Sequence, residues 1–585
     1  MKKPLSSRFG TFVPFIEPLE DRVAPASLVN VDAAAKTATW TDFDGDLVTM
    51  KWSGAAALVF FDHPPANTVA GGTIVDTIAL TNAADAITVK VQPGPAGGDG
   101  RVNIGYVNGA GLPLKSFSAP KASVLEFDCG DGTNAIGKFS IGSYGPLRST
   151  SFSFPGSDGK GTLDGAIGSV KITGDLDYGT LTLGATGKIV GNVTVGGSLH
   201  GDVSQSESAG TLIIPGLAGT VKIGGSVIGG ATAVLGTVFQ GVLSITSAKS
   251  VTIGGDIVGG PGDSAGAVSV KASSSVTVAG SVIGSSGGLS GGLIVGSTGV
   301  FVKSVVVGGN VQGGSRVVTG FVAANGPVGS ITVRGSVVGG SVTNPGSNLG
   351  YLGAILASED VGAITIGHNL VAGTTTNSGG NTNHVVVNGA ILVGGTLGSL
   401  GIGGSIEGNN DTRAFIVVKG TTPSQPGNFN AIGTVAVNGS VNYAIIASGQ
   451  DFTPATDFST NMGVAENPDA GIGSVAIGGD YYHSSIMAGT NDLEEIGVGR
   501  HQGAPNASDD TQSTGDAART AILGPVTIKG ALLDDADSFG YSGFEAEQIA
   551  KIVVGKVTIF QHTVPGHIQF FDPGHYVFAE EIPTT

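Results

Sequence analysis

The sequence predicts an all-β protein whose long middle region is a parallel β-helix, a solenoid in which each repeat of the chain adds one coil. Three observations lead to this fold class. A short phrase, GTVKIGGSVIGG from Gly219, returns as SVTIGGDIVGG from Ser250 and as SVVVGGNVQGG from Ser304. Its apolar residues recur at every second position, as they do in a half-buried strand. The chain has 101 glycines in 585 residues and only 6% aromatic residues, which suits a narrow interior filled by Val, Ile and Ala.

The repeated phrase defines the coils. Its copies begin at residues 168, 191, 219, 249, 274, 303, 329, 362, 398, 433, 473 and 524, and a divergent copy begins at Glu494. Two and four residues after each start lie apolar, mostly β-branched residues such as Val221 and Ile223, and this spacing puts both side chains on one face of a strand. One copy cannot bury this face alone, so successive copies must stack. We expect about 13 coils of about three short strands each, wound in the right-handed sense, and a rod of roughly 60 Å at about 4.8 Å per coil.

Each strand of the repeat ends at a predicted corner. Nearly every copy has a glycine there, followed by a small polar residue and an apolar one. The polar residues are Asp175, Ser198, Ser226, Asp256, Ser281, Asn310, Ser336, Asn369, Ser405, Ser440 and Asp480. Glycine supplies the unusual backbone angles of a corner, and Ser, Asp or Asn hydrogen-bonds the local backbone. Stacking of the coils then places these polar residues above one another as a ladder.

Other repeat architectures explain the phrase less well. Collagen requires glycine at every third position, and this sequence lacks that period. A calcium-binding nonapeptide roll requires a repeated GGxGxD phrase, whereas here GG is followed by Ser, Asp or Asn and then by an apolar residue. A β-propeller stays open as an alternative, although its blades need a longer and more regular period.

The rest of the chain divides around the solenoid, which we place at residues 161–535. Residues 1–27 form a leader, residues 28–160 a β-rich N-terminal module, and residues 536–585 a C-terminal cap. The two flanking parts cover the end coils, because an end coil exposes an unpaired strand edge. In the N-terminal module, KTATWTDFDGDLVTMKW (residues 36–52) predicts a β-hairpin with a polar turn. The later half of the module, with FDCGDGTN from Phe127, is expected to pair with the first coil.

The turn of this hairpin holds the candidate metal ligands. Asp42, Asp44 and Asp46 alternate along DFDGD, as carboxylates do at the start of an EF-hand calcium loop. The downstream bidentate Glu and the flanking helices of an EF-hand are missing from the sequence. Two interpretations follow: the three aspartates bind Ca²⁺, or they form an Asp/Gly turn without a metal.

Composition limits the partners. The net charge is −17, and the 28 Lys and Arg residues are scattered along the chain, which argues against nucleic acid because it binds clustered basic surfaces. Cys129 is the only cysteine, so no disulfide can form within the chain and no cysteine-based zinc site is available. Apolar runs of about 18 residues are absent, so no transmembrane helix is expected.

The first residues, MKKPLSSRFGTFVPFIEPLEDRVAPAS, join a basic start to small residues, but prolines and acidic residues interrupt the apolar segment that a secretory signal needs. The run PLEDRVAPA (residues 18–26), with Asp21 at the variable place of a Leu-Glu-x-Arg core, resembles the N-terminal LEPR-type motif of large exported planctomycete proteins. TDFDGDLVT and FEAEQIAKIVVG also resemble the opening and closing elements of solenoid proteins of that group. The resemblance implies export and implies nothing about chemistry.

An enzyme built on the same fold is the main alternative. A β-helix lyase combines several carboxylates, which bind Ca²⁺, with an Arg or Lys base. The nearest candidates are Arg316, Arg334, Arg413, Asp509, Asp510, Asp534, Asp535 and Asp537. A glycoside hydrolase needs two acids at a suitable distance, which the sequence leaves open. His562, His567 and His575 are either a metal site or packing in the cap. No GxSxG elbow marks a Ser-His-Asp triad.

We therefore expect an exported protein of the cell surface or the extracellular space, with a structural or adhesive role and no catalytic activity. Polar insertions near Thr374, Thr421, Gln450 and His501 are expected to loop out from one face of the rod. Such insertions often form a binding surface, here for carbohydrate or for a cell-surface protein, although tolerated decoration explains them equally well. A polysaccharide lyase or glycosidase is the alternative function.

Overall fold

A computed structural model of the chain describes residues 29–42, 44–54, 58–63, 74–94, 98–145, 159–177, 179–201, 209–230, 240–316, 318–343, 351–376, 387–409, 412–421, 427–450, 466–490, 519–533, 542–562, 568–571 and 577–582. These residues form 51 strands and no helix, which confirms the predicted all-β class. The leader, residues 1–27 with the run PLEDRVAPA, lies outside them.

The N-terminal strands begin antiparallel and become parallel. They are Asn30–Asp32, Thr37–Thr41, Leu47–Gly54, Leu58–His63, Ile74–Leu80, Ala84–Gln92, Val102–Ala110, Leu114–Gly130 and Asn134–Tyr144. Thr37–Thr41 and Leu47–Gly54 pair antiparallel, with Trp40 opposite Val48, so the predicted hairpin is confirmed. From Ala84–Gln92 onward the strands that follow this hairpin pair in parallel, as Ile87, Phe117 and Phe139 do in turn.

The repeated phrase forms one long parallel ladder, called the first ladder here. Its strands are Ala166–Ile172, Ile189–Val195, Thr211–Ile223, Leu243–Ile253, Ser273–Val278, Val302–Val307, Val328–Val333, Val361–Ile366, Leu397–Ile402, Phe429–Val437, Ala470–Ile477, Val526–Ile528 and Lys551–Val554. Equivalent residues of successive copies pair with each other, for example Val276 with Val305 and Val305 with Ile331. Phe139 pairs with Val170, so the ladder continues into the N-terminal module.

A second ladder of two-residue strands follows the corners. It is an 11-stranded sheet. Its strands are Leu199–His200, Val227–Ile228, Ile257–Val258, Val282–Ile283, Val311–Gln312, Val337–Val338, Leu370–Val371, Ile406–Glu407, Val441–Asn442, Tyr481–Tyr482 and Leu532–Leu533. The first residue of each strand points into the core, as Val282, Val311 and Val337 do with no exposed surface.

A third ladder completes each repeat. It uses the first parts of Thr211–Ile223 and Leu243–Ile253 together with Lys160–Leu163, Thr180–Leu183, Val268–Val270, Gly292–Val295, Thr319–Ala324, Tyr351–Ala357, Val387–Val393, Ala414–Val418, Ala444–Ser448, Ser485–Ala488, Ser542–Ala546 and Val577–Glu581. In three consecutive strands of this ladder every residue is buried, namely Val387–Val393, Ala414–Val418 and Ala444–Ser448. These strands are therefore covered on both faces, and Leu392, Phe415 and Val417 form a separate hydrophobic cluster on the face away from the core.

The remaining strands lie beside these ladders. They are Ser341–Thr343, Thr374–Thr376, Ile522–Leu523, Gln548–Ile549, Val557–Gln561 and Ile568–Phe570. Val557–Gln561 pairs antiparallel with the last strand of the first ladder, and Ile568–Phe570 pairs antiparallel with the last strand of the third. Antiparallel pairs therefore occur at both ends of the parallel ladders.

One predicted repeat has no strand in the first ladder. Val475 and Ile477 pair directly with Val526 and Ile528, so the copies that begin at 473 and 524 are neighbours. The divergent copy from Glu494 lies outside the described residues, and no position between these two strands is left for it. An additional strand, Lys551–Val554, pairs with Val526–Ile528 instead, although we assigned it to the C-terminal cap.

The corner residues bond to the next repeat instead of to their own backbone, which corrects the prediction of local bonds. Ser198 N donates to Asp175 Oδ1 at 2.7 Å, Ser226 N to Ser198 Oγ at 3.0 Å, and the pattern continues along the stack to Ala531 N, which donates to Asp480 Oδ1 at 2.8 Å. The intermediate bonds are made by Ser226, Asp256, Ser281, Asn310, Ser336, Asn369, Ser405 and Ser440. The predicted ladder of polar side chains is confirmed, and it ties each repeat to the following one.

The core includes the single cysteine of the chain. One hydrophobic cluster extends from Val29 to Ala579, and Cys129 lies in it with 1% of its surface exposed. Burial raises the pKa of the Cys129 thiol, and the neighbouring carboxylate of Asp128 raises it further. Since the thiolate is the reactive form, we expect no labelling of the native protein by a thiol reagent over hours and one labelled site per chain after denaturation. Rapid labelling of the native protein would contradict this packing.

Candidate functional site

The hairpin turn is held by its own backbone and side chains. Asp42 N donates to Asp46 O at 2.9 Å, and Asp42 Oδ1 accepts from Gly45 N at 3.1 Å and from Asp46 N at 2.8 Å. Gly45 has a φ of 104°, a backbone angle that side chains other than glycine rarely adopt. The short DFDGD phrase therefore folds back tightly and brings alternate carboxylates to one side.

A second segment, which the sequence did not point to, closes over this turn. Asp46 Oδ2 accepts from Gly100 N at 2.6 Å and from Arg101 N at 3.1 Å, and Asp44 Oδ2 accepts from Asp99 N at 3.2 Å. A side chain at Gly98 would place its Cβ 1.9 Å from Asp46 Oδ1. The only signal of this arrangement in the sequence is the GGDG run around Asp99, which reads as an ordinary polar turn.

The three predicted ligands are brought together. One carboxylate oxygen from each of Asp42, Asp44 and Asp46 lies within 4.8 Å of the other two. Asp42 and Asp46 are 2% and 0% exposed. Burial raises the pKa of Asp42 to about 8, and a hydrogen bond to Asp44 and the neighbouring carboxylates add to the shift. Three carboxylates so close together in a buried site repel one another strongly unless a proton or a cation intervenes.

The other predicted clusters are less coherent. His562 Nδ1 lies 2.6 Å from Glu581 Oε1, while His567 and His575 are outside the described residues. Arg316 contacts Asp263 at 3.4 Å, and Arg413 donates to the carbonyl oxygen of His483, so these two arginines have different surroundings. Asp509, Asp510, Asp534, Asp535 and Asp537 also fall outside the described part of the chain, and the lyase constellation therefore stays a prediction.

A half-exposed group of Asp175, Asp177 and His200 also has ligand atoms within 4.8 Å of one another. Asp175 Oδ1 already accepts the corner hydrogen bond from Ser198 N. Exposed acidic groups of this kind are common in proteins, and this one follows from the corner ladder, so we assign it no site.

A surface cleft crosses the third ladder and was not predicted. Its volume is about 760 Å³, within the range of known ligand sites. Asn325, Ser358 and Lys419, each of which directly follows a third-ladder strand, line the cleft, and Tyr351 and Gln450 are also among its lining residues. Lys419 Nζ pairs with Glu466 Oε2 at 2.5 Å, and both side chains are partly exposed. The strand period of the sequence could not reveal the cleft, because it reports burial and not surface shape.

The outer face of the third ladder ends in two stacked acids. Leu356, Leu392, Val417, Ala447, Met487, Glu545 and Glu580 occupy equivalent positions in successive strands. Glu545 and Glu580 are paired neighbours and each is 1% exposed. They are an unpredicted pair of carboxylates, but their burial keeps a polymer substrate away from them.

None of the described residues forms a helix long and apolar enough to cross a membrane. Comparison with known proteins finds no matching family, no similar curated protein and no similar solved structure. The candidate sites of this chain therefore rest on its own geometry.

Proposed function

We propose that the three ladders wind into a parallel β-helix, with one strand of each ladder in every coil. The order of the strands supports this winding. The chain passes from the first ladder at Val302–Val307 to the second at Val311–Gln312 and the third at Thr319–Ala324, and then returns to the first at Val328–Val333. Val305, Val311 and Val322 from the three ladders belong to one buried cluster, as the interior of a coil requires.

On this architecture we propose an exported protein of the cell surface or extracellular space, structural or adhesive and without catalytic activity. The observation that carries the proposal is the continuity of the first ladder, in which equivalent residues pair in succession from Phe139 to Ile552. At about 4.8 Å for each strand, this ladder gives a rigid body roughly 60 Å long. Export is supported by the resemblance of residues 18–26 to the LEPR-type motif.

The cleft across the third ladder is the proposed contact surface. It combines an aromatic ring at Tyr351 with amide and charged groups at Asn325, Gln450 and Lys419. Aromatic faces with nearby hydrogen-bonding groups suit the apolar faces and hydroxyl groups of sugars. A polysaccharide of the cell surface is therefore the ligand class that we test first, and a protein surface is the second.

A polysaccharide-active enzyme is the alternative function. The stacked pair of Glu545 and Glu580 favours it, because glycoside hydrolysis uses two carboxyl groups. Their burial argues against it, since each is 1% exposed and a substrate has to reach both groups.

The test is incubation of the purified full-length protein with a panel of acidic and neutral polysaccharides, with and without Ca²⁺, recording both retention and chain cleavage. We expect retention of at least one polysaccharide without cleavage. In the cleft, Tyr351→Ala should weaken retention roughly tenfold, as loss of one good aromatic contact does. Phe301→Ala removes a ring that is 60% exposed and outside the cleft, so it should leave retention unchanged.

Each outcome has a distinct meaning. Cleavage that disappears in Glu545→Gln would replace the adhesive proposal with the enzymatic one. If Tyr351→Ala retains the polysaccharide as well as Phe301→Ala does, the contact surface lies outside the cleft. If no polysaccharide is retained, the carbohydrate ligand is wrong, and a structural role remains.

A further inference from the structure

We propose that Asp42, Asp44 and Asp46 bind one calcium ion and that this ion fastens the N-terminal hairpin to the segment 98–101. The proposal rests on three buried carboxylate oxygens that accept no hydrogen bond from the described residues. It is independent of the proposed adhesive function.

In each of the three aspartates, one carboxylate oxygen accepts a hydrogen bond from the protein backbone and the other accepts none within the described part of the chain. Asp42 Oδ1, Asp44 Oδ2 and Asp46 Oδ2 accept backbone N–H groups. Asp42 Oδ2, Asp44 Oδ1 and Asp46 Oδ1 are buried and have no hydrogen-bond donor among the described residues. Buried polar atoms almost always have a partner, and three orphaned oxygens in one cluster indicate a ligand that supplies it.

A cation satisfies this cluster better than a proton does, because one proton shared between two carboxylates leaves the third orphaned oxygen without a partner. In the part of the chain that the structure describes, no lysine, arginine or histidine forms an ion pair with these three aspartates. A buried carboxylate without a counter-charge is costly, and three within 4.8 Å are more so. One divalent ion offsets most of that charge and satisfies all three orphaned oxygens together.

The donor set selects calcium. The cluster offers carboxylate oxygens only, whereas zinc prefers nitrogen and sulfur ligands. Magnesium demands near-ideal octahedral geometry and keeps several of its waters. Calcium accepts six to eight oxygens in flexible geometry, so water and backbone carbonyl groups can complete a shell around three carboxylates.

The site joins two parts of the module that are distant in sequence. Asp44 Oδ2 accepts a hydrogen bond from Asp99 N, and Asp46 Oδ2 accepts from the backbone N–H groups of Gly100 and Arg101. An ion that fixes the carboxylates of Asp44 and Asp46 therefore also fixes this second segment. Gly98 is needed at the junction because its missing Cβ leaves room for Asp46 Oδ1. We expect removal of the ion to loosen the contact between the hairpin and the segment.

Calcium binding to the full-length protein is measured by calorimetry after treatment with a chelator. We expect one saturable site with a Kd of about 10⁻³ M or tighter, the range of extracellular calcium modules. Both tryptophans of the chain, Trp40 and Trp52, lie on the hairpin strands, so selectively excited tryptophan fluorescence should change with the same midpoint. Magnesium and zinc, added alone, should bind at least about tenfold more weakly.

The variants Asp42→Asn and Asp46→Asn keep the side-chain shape and remove one charge each. Each should weaken calcium binding roughly tenfold or more, since affinity follows the number of ligand charges. Asp131→Asn is the matched control, because Asp131 caps an exposed turn of the same module through Thr133 N and Asn134 N and should leave binding unchanged.

The wild-type protein alone can overturn the proposal, so it does not depend on the folding of a variant. No saturable binding at about 1 mM Ca²⁺ would refute the site. Binding that Asp42→Asn and Asp46→Asn retain at full affinity would place the ion elsewhere. Tighter binding of zinc than of calcium would refute the choice of metal. None of these results depends on whether the protein binds a polysaccharide.

Discussion

Val305→Asp should unfold the middle of the protein or lower its free energy of unfolding by more than about 4 kcal/mol, the range reached when an unpaired charge is buried. Val305 has no exposed surface and lies between Val276 and Ile331 in the first ladder. A carboxylate there faces only apolar side chains of the interior. Because every strand of the ladder is bonded to the next, the damage should spread to neighbouring repeats.

Val306→Asp is the matched control for this substitution. Val306 is the same residue type on the same strand, but its side chain is on the opposite, partly exposed face, between Thr277 and Thr332. Val306→Asp should lower the free energy of unfolding by about 1 kcal/mol or less. Denaturant unfolding followed by far-ultraviolet circular dichroism measures both variants. Equal losses from the two substitutions would contradict the assignment of inner and outer faces.

The alternation of the repeats made these faces predictable from the sequence. A period of two over five residues fixes which side chains share a face, and repetition fixes which residues become neighbours. Val221, Val251 and Val276, aligned by phrase alone, pair in this order in the structure. The prediction of a coil at Glu494 was wrong, because this copy follows the phrase only loosely. The copies on either side of it pair directly with each other.

The later strands of the third ladder were harder to predict because they lack alternation. YLGAILA, VNGAILV and AFIVV are short apolar runs, and periodicity cannot assign faces in such runs. VNGAILV and AFIVV are buried on both sides, whereas Tyr351 and Leu356 of YLGAILA are partly exposed. The phrase also could not show that Glu545 and Glu580 extend the outer column that includes Leu356, since that register depends on irregular spacings between strands.

The candidate site was predicted in part. Alternate aspartates in a polar turn indicated where carboxylates meet, because a tight turn brings residues i, i+2 and i+4 together. The second segment, 98–101, is more than fifty residues away in the sequence, as the separation of 55 between Asp44 and Asp99 shows. No local pattern connects two such segments. The sequence matches only the start of an EF-hand loop. In the structure the backbone of segment 98–101, and not a downstream Glu, closes over the turn.

Gly280→Ala should lower the free energy of unfolding by roughly 2–4 kcal/mol, the sum expected from overpacking and from a disturbed hydrogen bond to a carboxylate. A Cβ at Gly280 would lie 2.1 Å from Asp256 Oδ1 and 2.8 Å from the carbonyl oxygen of Gly255. Asp256 Oδ1 accepts from Ser281 N at 2.7 Å, so the methyl group displaces the acceptor that ties two repeats together. Gly401→Ala is the control, since a Cβ there meets nothing within 4 Å, and it should be neutral or slightly stabilising.

The chain itself contains a natural version of this substitution, which explains why glycine precedes the corner residue in most repeats. His368 occupies the position equivalent to Gly280, and the residue below it is Ser336. The corner bond at that step, from Asn369 N to Ser336 Oγ, is 3.2 Å, the longest along the ladder. A Cβ above a serine corner also comes close to the hydroxyl, as the 2.2 Å from Gly255 to Ser226 Oγ shows. A serine hydroxyl can turn to another rotamer, however, so His368 is tolerated above Ser336. Asp256→Ser should accordingly recover part of the stability lost in Gly280→Ala, and a double-mutant cycle of thermal unfolding measures this coupling. Strictly additive effects would show that the glycine is required for another reason.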